Sequence, residues 1–233
     1  MNSLRDSILV VPNAIGAADL AFLDAHIASA AMQDTLVSSY GEDGEGELAW
    51  VLNHAVRDTQ EVDLPVAVRE HIAQLHAANI AAHIDPFFGC AVRDAEPFQL
   101  LHYGTQGHYV PHVDAETPLR DEDDREFWEK SMDRDLSVVY FLSDDFAGGE
   151  LVFPDLGVSL RPQRGTLVCF PSDHHYLHGV VPVTQGHRYT LVTWMRVHGT
   201  PTPDEINANN IQAFTLAWPG AYDSPPRLQK AES

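Results

Sequence analysis

The sequence predicts a mostly β protein with helices gathered toward its N-terminus, an α+β chain whose β part is a sandwich, jelly roll or barrel. Three observations predict it. About eight short apolar runs, cut by Gly, Pro and Asp, fill residues 96–198. Ala-rich stretches with apolar residues at helical spacing precede them. The 233 residues are 44% hydrophobic and 21% charged, which is enough apolar material for one sizeable core.

The elements follow in order. Residues 7–11 read as a short strand. Residues 17–32 read as an amphipathic helix, with Leu20, Leu23 and Ile27 on one face. Residues 41–46 are a Gly/acid turn. Asp63 and Pro65 mark a helix start, with Asp as N-cap and Pro in the first turn. Val68, Ile72 and Leu75 stripe that helix, which runs to about His83 and is ended by Pro86. Strands are expected at 98–103, 109–113, 136–142, 150–153, 158–160, 166–170, 179–183 and 188–197. The charged insertion 116–135 is helix-prone, with Phe127, Trp128 and Met132 as anchors. Residues from Thr200 onward are Pro-, Asn- and Ala-rich and are expected to run over the surface. The chain reads as one domain, 1–233: a helical and mixed support region at 1–95, a β core at 96–198 and a C-terminal extension at 199–233.

Charge excludes some partners. Fourteen Lys and Arg stand against 34 Asp and Glu, a net charge of −20. Nucleic acid and anionic membrane both need a cationic face, so neither is an expected partner. No apolar run approaches the roughly 18–20 residues of a membrane span, and no leader-like segment is expected at the start. Cys90 and Cys169 do not make a disulfide framework. A reducing, cytoplasmic setting is therefore expected.

The chemistry begins with His112-Val-Asp114. Alternate residues of a strand share a face, so an imidazole and a carboxylate stand side by side. Alone, such a pair is usually surface polarity. His178 is the candidate third ligand, because a later strand of a two-sheet fold can return beside the first. Two His and one carboxylate with open positions are the facial triad of non-haem Fe(II) oxygenases, whereas a structural zinc site closes all four positions. Arg188, Thr190, Val192 and Trp194 share one strand face. A guanidinium is a natural bidentate partner for a carboxylate, and the Thr190 hydroxyl can add a hydrogen bond to the same anion. Buried in a barrel, Arg188 needs a partner, which a dicarboxylate cosubstrate supplies. A structural ion pair is the alternative.

Taken together, the motifs resemble the 2-oxoglutarate- and Fe(II)-dependent oxygenases, in their prolyl 4-hydroxylase-like branch. Tyr103-Gly104 through Tyr109 to His112-Val-Asp114 is similar to that branch's run of Tyr and Gly followed by Tyr-x-x-His-x-Asp. Leu136 to Pro154, with Gly148-Gly149-Glu150, is similar to its Gly-Gly-Glu strand pair. Pro162 to Phe170 and the block His178…Arg188…Trp194 continue the likeness in order over roughly residues 96–197. The resemblance implies a double-stranded β-helix with helices packed on one sheet. It implies Fe(II) on His112, Asp114 and His178, and Arg188 on the distal carboxylate of 2-oxoglutarate. It also implies Tyr103 and Tyr140 facing that cosubstrate, though strand tyrosines are more often core residues.

O2 and 2-oxoglutarate would then be consumed to hydroxylate an unactivated C–H, with ascorbate as accompanying reductant. The expected substrate is a prolyl or other residue of a protein or peptide. A free amino acid or small natural product is the alternative, and a non-catalytic small-acid-binding module on the same fold is the third reading. Asp114 favours hydroxylation, because related halogenating enzymes carry a small residue there. Two departures are visible: Arg188 stands where collagen-type members carry Lys, and Leu151 where Thr usually follows Gly-Gly-Glu. His102, His108, His174, His175 and His187 read as loop or rim residues, and the acidic run 121–124 as a solvated loop face.

Overall fold

The computed structural model describes residues 4–39, 49–120, 126–208, 211–213 and 229–230. The 41–46 turn, the 121–124 acidic run and most of the C-terminal extension lie outside the described residues. Two antiparallel sheets carry the fold. The larger has eight strands, ordered Leu9–Val11, Leu167–Pro171, Leu136–Phe141, Arg188–Val197, Gln99–Tyr103, Gln60–Val62 and Met32–Asp34, with Val92–Ala95 pairing the far end of Arg188–Val197. The smaller has five, ordered Val158–Leu160, Leu151–Phe153, His178–Val180, His108–His112 and Arg57–Asp58. The protein is thus mostly β with some helix.

Alternation along the central strands builds two cores. Leu136–Phe141 is buried at every position, as befits a strand covered on both faces. Leu136, Val138 and Tyr140 share a cluster with Leu23, Val68 and Ile72 of the helices and with Leu167, Cys169 and Leu191. The alternate residues Val139 and Phe141 instead meet Leu151, Phe153, Val168 and Phe170 between the sheets. The helices therefore cover the outer face of the larger sheet, and the inner face is left for a site.

Each expected strand segment contains a strand, and three differences have physical causes. The segment 179–183 divides into His178–Val180 and Val183–Gln185; Pro182 between them has no N–H for a continuous ladder. Met32 leaves the first helix, Ala17–Ile27, and pairs with Val62 as a strand residue. The helix Val66–Asn79 continues through a π-turn, Ile80–Ile84, into Asp85–Phe88. Pro86 sits in the first turn of that last piece, directly after the π-turn. Gly89, at φ 62°, ends it in its place.

The 116–135 insertion is not helical where it is described. Glu116–Arg120 and Glu126–Lys130 pair as a hairpin, with Pro118 opposite Trp128 and Leu119 opposite Phe127. Pro118 would break a helix, and tertiary contacts reward the strand: Trp128 stacks on His174 at 5.1 Å between ring centroids. Lys130 Nζ donates to Asp135 at 2.8 Å in a buried pair that closes the hairpin's base.

One buried polar contact ties helix to sheet. His76 Nδ1 and the Tyr140 hydroxyl lie 2.8 Å apart. Burial pushes the His76 imidazole down to about 4 from its ordinary 6.5. The unfolded chain takes up that proton near pH 6.5 and the folded chain only near 4, so the stability His76 contributes is complete above pH 6.5 and is lost as pH falls toward 4. Urea unfolding at steps across that interval is expected to show wild type losing up to about 3 kcal/mol more than His76→Gln.

Candidate metal centre and its cavity

His112 ends one strand of the smaller sheet and His178 begins its antiparallel neighbour, which sets the two directly opposite. Their ring centroids are 4.4 Å apart. Gly179 permits the approach: a Cβ there would meet the Tyr109 carbonyl oxygen at 2.9 Å and the Pro111 nitrogen at 3.0 Å. The chain turns out of the first strand at Val113, and the Asp114 carboxylate comes to 3.6 Å from His112 Nε2 and 3.4 Å from His178 Nε2. One ligand atom from each of the three lies within 4.8 Å of the others.

The neighbours fix the orientation of these groups. His112 donates its Nδ1–H to the Val110 carbonyl and His178 to the Tyr176 carbonyl, each at 3.0 Å. Both Nε2 lone pairs are thereby left facing Asp114. The Ser137 hydroxyl donates to Asp114 Oδ2 at 2.6 Å, and the Ser172 hydroxyl lies 2.8 Å from Ser137. Phe170 and Phe153 pack around the His178 ring. Burial pushes the His178 imidazole down to about 4, so it is a neutral ligand at pH 7. Burial alone would raise the Asp114 carboxyl, but the charge His178 gains as pH falls, with His112 and the Ser137 hydrogen bond, outweighs it and holds the group well below the usual carboxylate range. Two imidazoles and a carboxylate are a donor set that suits Fe(II).

A cavity of about 520 Å³ opens beside these three residues. Arg188 stands in its wall, 1% exposed. Its guanidinium lies over the Tyr103 ring at 4.5 Å and the Phe141 ring at 5.0 Å. One terminal nitrogen reaches the Thr190 hydroxyl at 3.5 Å, while Nε has no partner. Among the described residues no carboxylate pairs with it. An isolated buried cation is costly, so this end of the cavity fits an anionic group. Gln99, Leu101 and Tyr103 share a strand face there, and Val139, Leu151, Val180 and Val192 make the wall apolar.

Six of the seven candidate site residues therefore meet in one cavity: His112, Asp114, His178, Arg188, Tyr103 and Thr190. Tyr140 does not. It is fully buried on the opposite face of its strand, bonded to His76 in the helix-facing core. Ser137, Val139 and Phe141 are the inward residues, and Phe141 holds the place beside Arg188 that Tyr140 was expected to take. Ser137 also escaped the sequence reading, although a lone hydroxyl in an apolar strand was the signal that could have found it. Arg134 is a further addition. It donates to the Asp114 backbone carbonyl at 3.1 Å, pairs with Glu96 and covers the Trp194 ring at 3.7 Å. Tyr109 stacks on His112 at 3.7 Å, with Arg57 over its other side at 4.9 Å. His102 and His187 hydrogen-bond to each other at 2.9 Å outside the cavity lining.

Residues 98–196 match the family model of the 2OG-Fe(II) oxygenase superfamily. Over 129 residues the chain is 33% identical to prolyl 4-hydroxylase subunit alpha-1 of Gallus gallus, covering 52% of this chain and 25% of that protein. The Homo sapiens subunit is 30% identical, with 52% and 24% covered. The match thus spans about a quarter of the length of these curated relatives. The viral collagen prolyl hydroxylase vCPH from Paramecium Bursaria Chlorella virus-1 superposes with a TM-score of 0.55 at 15% identity, covering 81% of this chain and 95% of that one. A Pseudomonas putida prolyl-4-hydroxylase gives 0.52 at 21% identity, with 84% and 97% covered. At such identities the likeness is one of fold, and that shared fold is the double-stranded β-helix architecture of the superfamily.

Two outcomes are expected from this geometry. Gly179→Ala forces the two histidine-bearing strands apart. It should cost about 1–3 kcal/mol in urea unfolding, whereas Gly104→Ala, whose Cβ meets only His102 at 3.7 Å, should be near neutral. Arg188→Met removes a buried charge that no described carboxylate pairs while keeping its volume. It should raise the urea unfolding free energy of the ligand-free chain by on the order of 1 kcal/mol, and added 2-oxoglutarate should stabilise wild type alone.

Proposed function

We propose, from the premise that this chain belongs through residues 98–196 to the 2OG-Fe(II) oxygenase superfamily as a prolyl hydroxylase-like member, that it hydroxylates an unactivated C–H, with a prolyl or other residue of a protein or peptide as substrate. The observation that carries the reading is the pairing of a two-histidine, one-aspartate cluster with a buried arginine lacking a carboxylate, in a single cavity. His112, Asp114 and His178 would hold Fe(II). Iron there supplies O2 activation, coupling oxidative decarboxylation of 2-oxoglutarate to succinate and CO2 with insertion of one oxygen atom into the substrate C–H bond.

The chain's own residues do the positioning. Arg188 binds the distal carboxylate of 2-oxoglutarate, and Thr190 and Tyr103 stand beside that carboxylate to hydrogen-bond it. The two Nδ1–H bonds to backbone carbonyls hold both imidazoles in one tautomer. Ser137 keeps the Asp114 carboxylate ionised and oriented. Val139, Leu151, Val180 and Val192 exclude water from the reacting end. Ascorbate serves as reductant. The same proposal treats residues 1–233 as one domain and its setting as reducing and cytoplasmic; Cys90 and Cys169 are both free thiols.

The test is succinate release from 2-oxoglutarate after anaerobic Fe(II) loading and admission of O2. His112→Ala, Asp114→Ala and His178→Ala are each expected to abolish calorimetric Fe(II) binding and turnover together. Arg188→Ala should leave Fe(II) binding intact and raise the 2-oxoglutarate requirement at least about 30-fold, as loss of one partner of a buried charge pair does. Succinate release that survives the triad substitutions would refute the reading.

A further inference from the structure

The turn that precedes His178 carries a second concentration of metal-binding side chains, Asp173-His174-His175, which the hydroxylation chemistry leaves unused. One ligand atom from each residue lies within 4.8 Å of the other two. Asp173 is 8% exposed, and its Oδ1 accepts from the His175 backbone N–H and lies 3.0 Å from His175 Nδ1. Its Oδ2 is buried with no hydrogen-bond partner. Such an oxygen is costly unless something electropositive meets it.

The surroundings orient the cluster. Glu116, whose side chain is 6% exposed, accepts from His174 Nδ1 at 2.6 Å and from the His174 backbone N–H at 2.7 Å. A carboxylate on one ring nitrogen fixes the tautomer and leaves Nε2 as a free, more basic lone pair, the usual arrangement behind a ligating histidine. Trp128 lies flat against the other side of the same ring, at 5.1 Å and 6°. Two buried carboxylates thus face two imidazoles, a set whose negative charge a divalent cation would balance. Imidazole-rich donors select Zn(II), Ni(II) or Cu(II) over Mg(II) or Ca(II).

We propose that Asp173, His174 and His175 form a second divalent-metal site, separate from the triad, that fastens the Glu116–Lys130 hairpin to the cavity wall. The fastening follows from the contacts: Glu116 and Trp128 belong to the two strands of the hairpin and both grip His174. Glu116 and Thr117 line the cavity.

Zinc titration of the chelator-stripped full chain, read by isothermal calorimetry, is expected to show two bound equivalents. His112→Ala combined with Asp114→Ala should leave one. Asp173→Asn keeps the oxygen that accepts from His175 and removes the charge. It should weaken one equivalent by about tenfold or more and leave the other unchanged, and His174→Ala combined with His175→Ala should remove that equivalent. Zinc beyond the first equivalent should raise the melting temperature of wild type but not of Asp173→Asn. A single equivalent in wild type overturns the site. So do two equivalents surviving in the His174, His175 variant, or loss of both equivalents in Asp173→Asn.

Discussion

The antiparallel contact that sets His178 opposite His112 is the constraint around which the rest of the site is arranged. Two residues 66 positions apart (178 less 112) must meet to within a metal's reach. No local preference brings them together. The five-stranded sheet does so by placing His178–Val180 between Leu151–Phe153 and His108–His112. Gly179 then lets the backbones close, because any side chain there would strike Tyr109 and Pro111. Asp114 needs no such device. It follows His112 by two residues and is held by Ser137 from the opposite sheet. The candidate metal centre is therefore a junction between the two sheets.

Charge explains why the cavity has two ends. Asp114 and Arg188 are buried charges of opposite sign, yet each is directed to its own partner. Asp114 faces two imidazoles and accepts from the Ser137 hydroxyl. Arg188 is supported by the faces of Tyr103 and Phe141 and by Thr190, with no carboxylate among the described residues. Aromatic faces soften the cost of a buried cation without neutralising it. A divalent metal at one end and a dianionic cosubstrate at the other would leave the cavity neutral. The net charge of −20 thus describes the outside of the molecule, and the pocket obeys a separate local balance.

Much of this was legible in the residues, and the failures have specific causes. The candidate triad and Arg188 could be singled out because residue chemistry and short spacing are local properties; Arg188, Thr190, Val192 and Trp194 share one face of the cavity, whereas Asp114 comes to His112 through the turn at Val113 and not by strand alternation. Tyr140 was misread because Leu136–Phe141 is buried on both sides. A doubly buried strand has no polar face, so its sequence does not say which side meets the site. The 116–130 hairpin was misread because its charged residues have high helix propensity, a weak preference that Pro118 opposes and that contacts with His174 override. Pro86 was misread as a stop because the π-turn before it carries the helix on to Phe88.

The amino-acid sequence by itself determined the mostly β class, the residue types of the candidate metal and carboxylate ligands, and the strand parity that puts Arg188 and Thr190 on one face. These are consequences of composition and alternation, which act over a few residues. Only the tertiary structure decided that Phe141 and not Tyr140 stands beside Arg188, that Ser137 and Arg134 buttress Asp114, and that Glu116 and Trp128 converge on His174. Each of those depends on how two sheets and a helical layer divide the faces of shared strands, and that division is settled by long-range packing in which every residue's choice depends on its neighbours'.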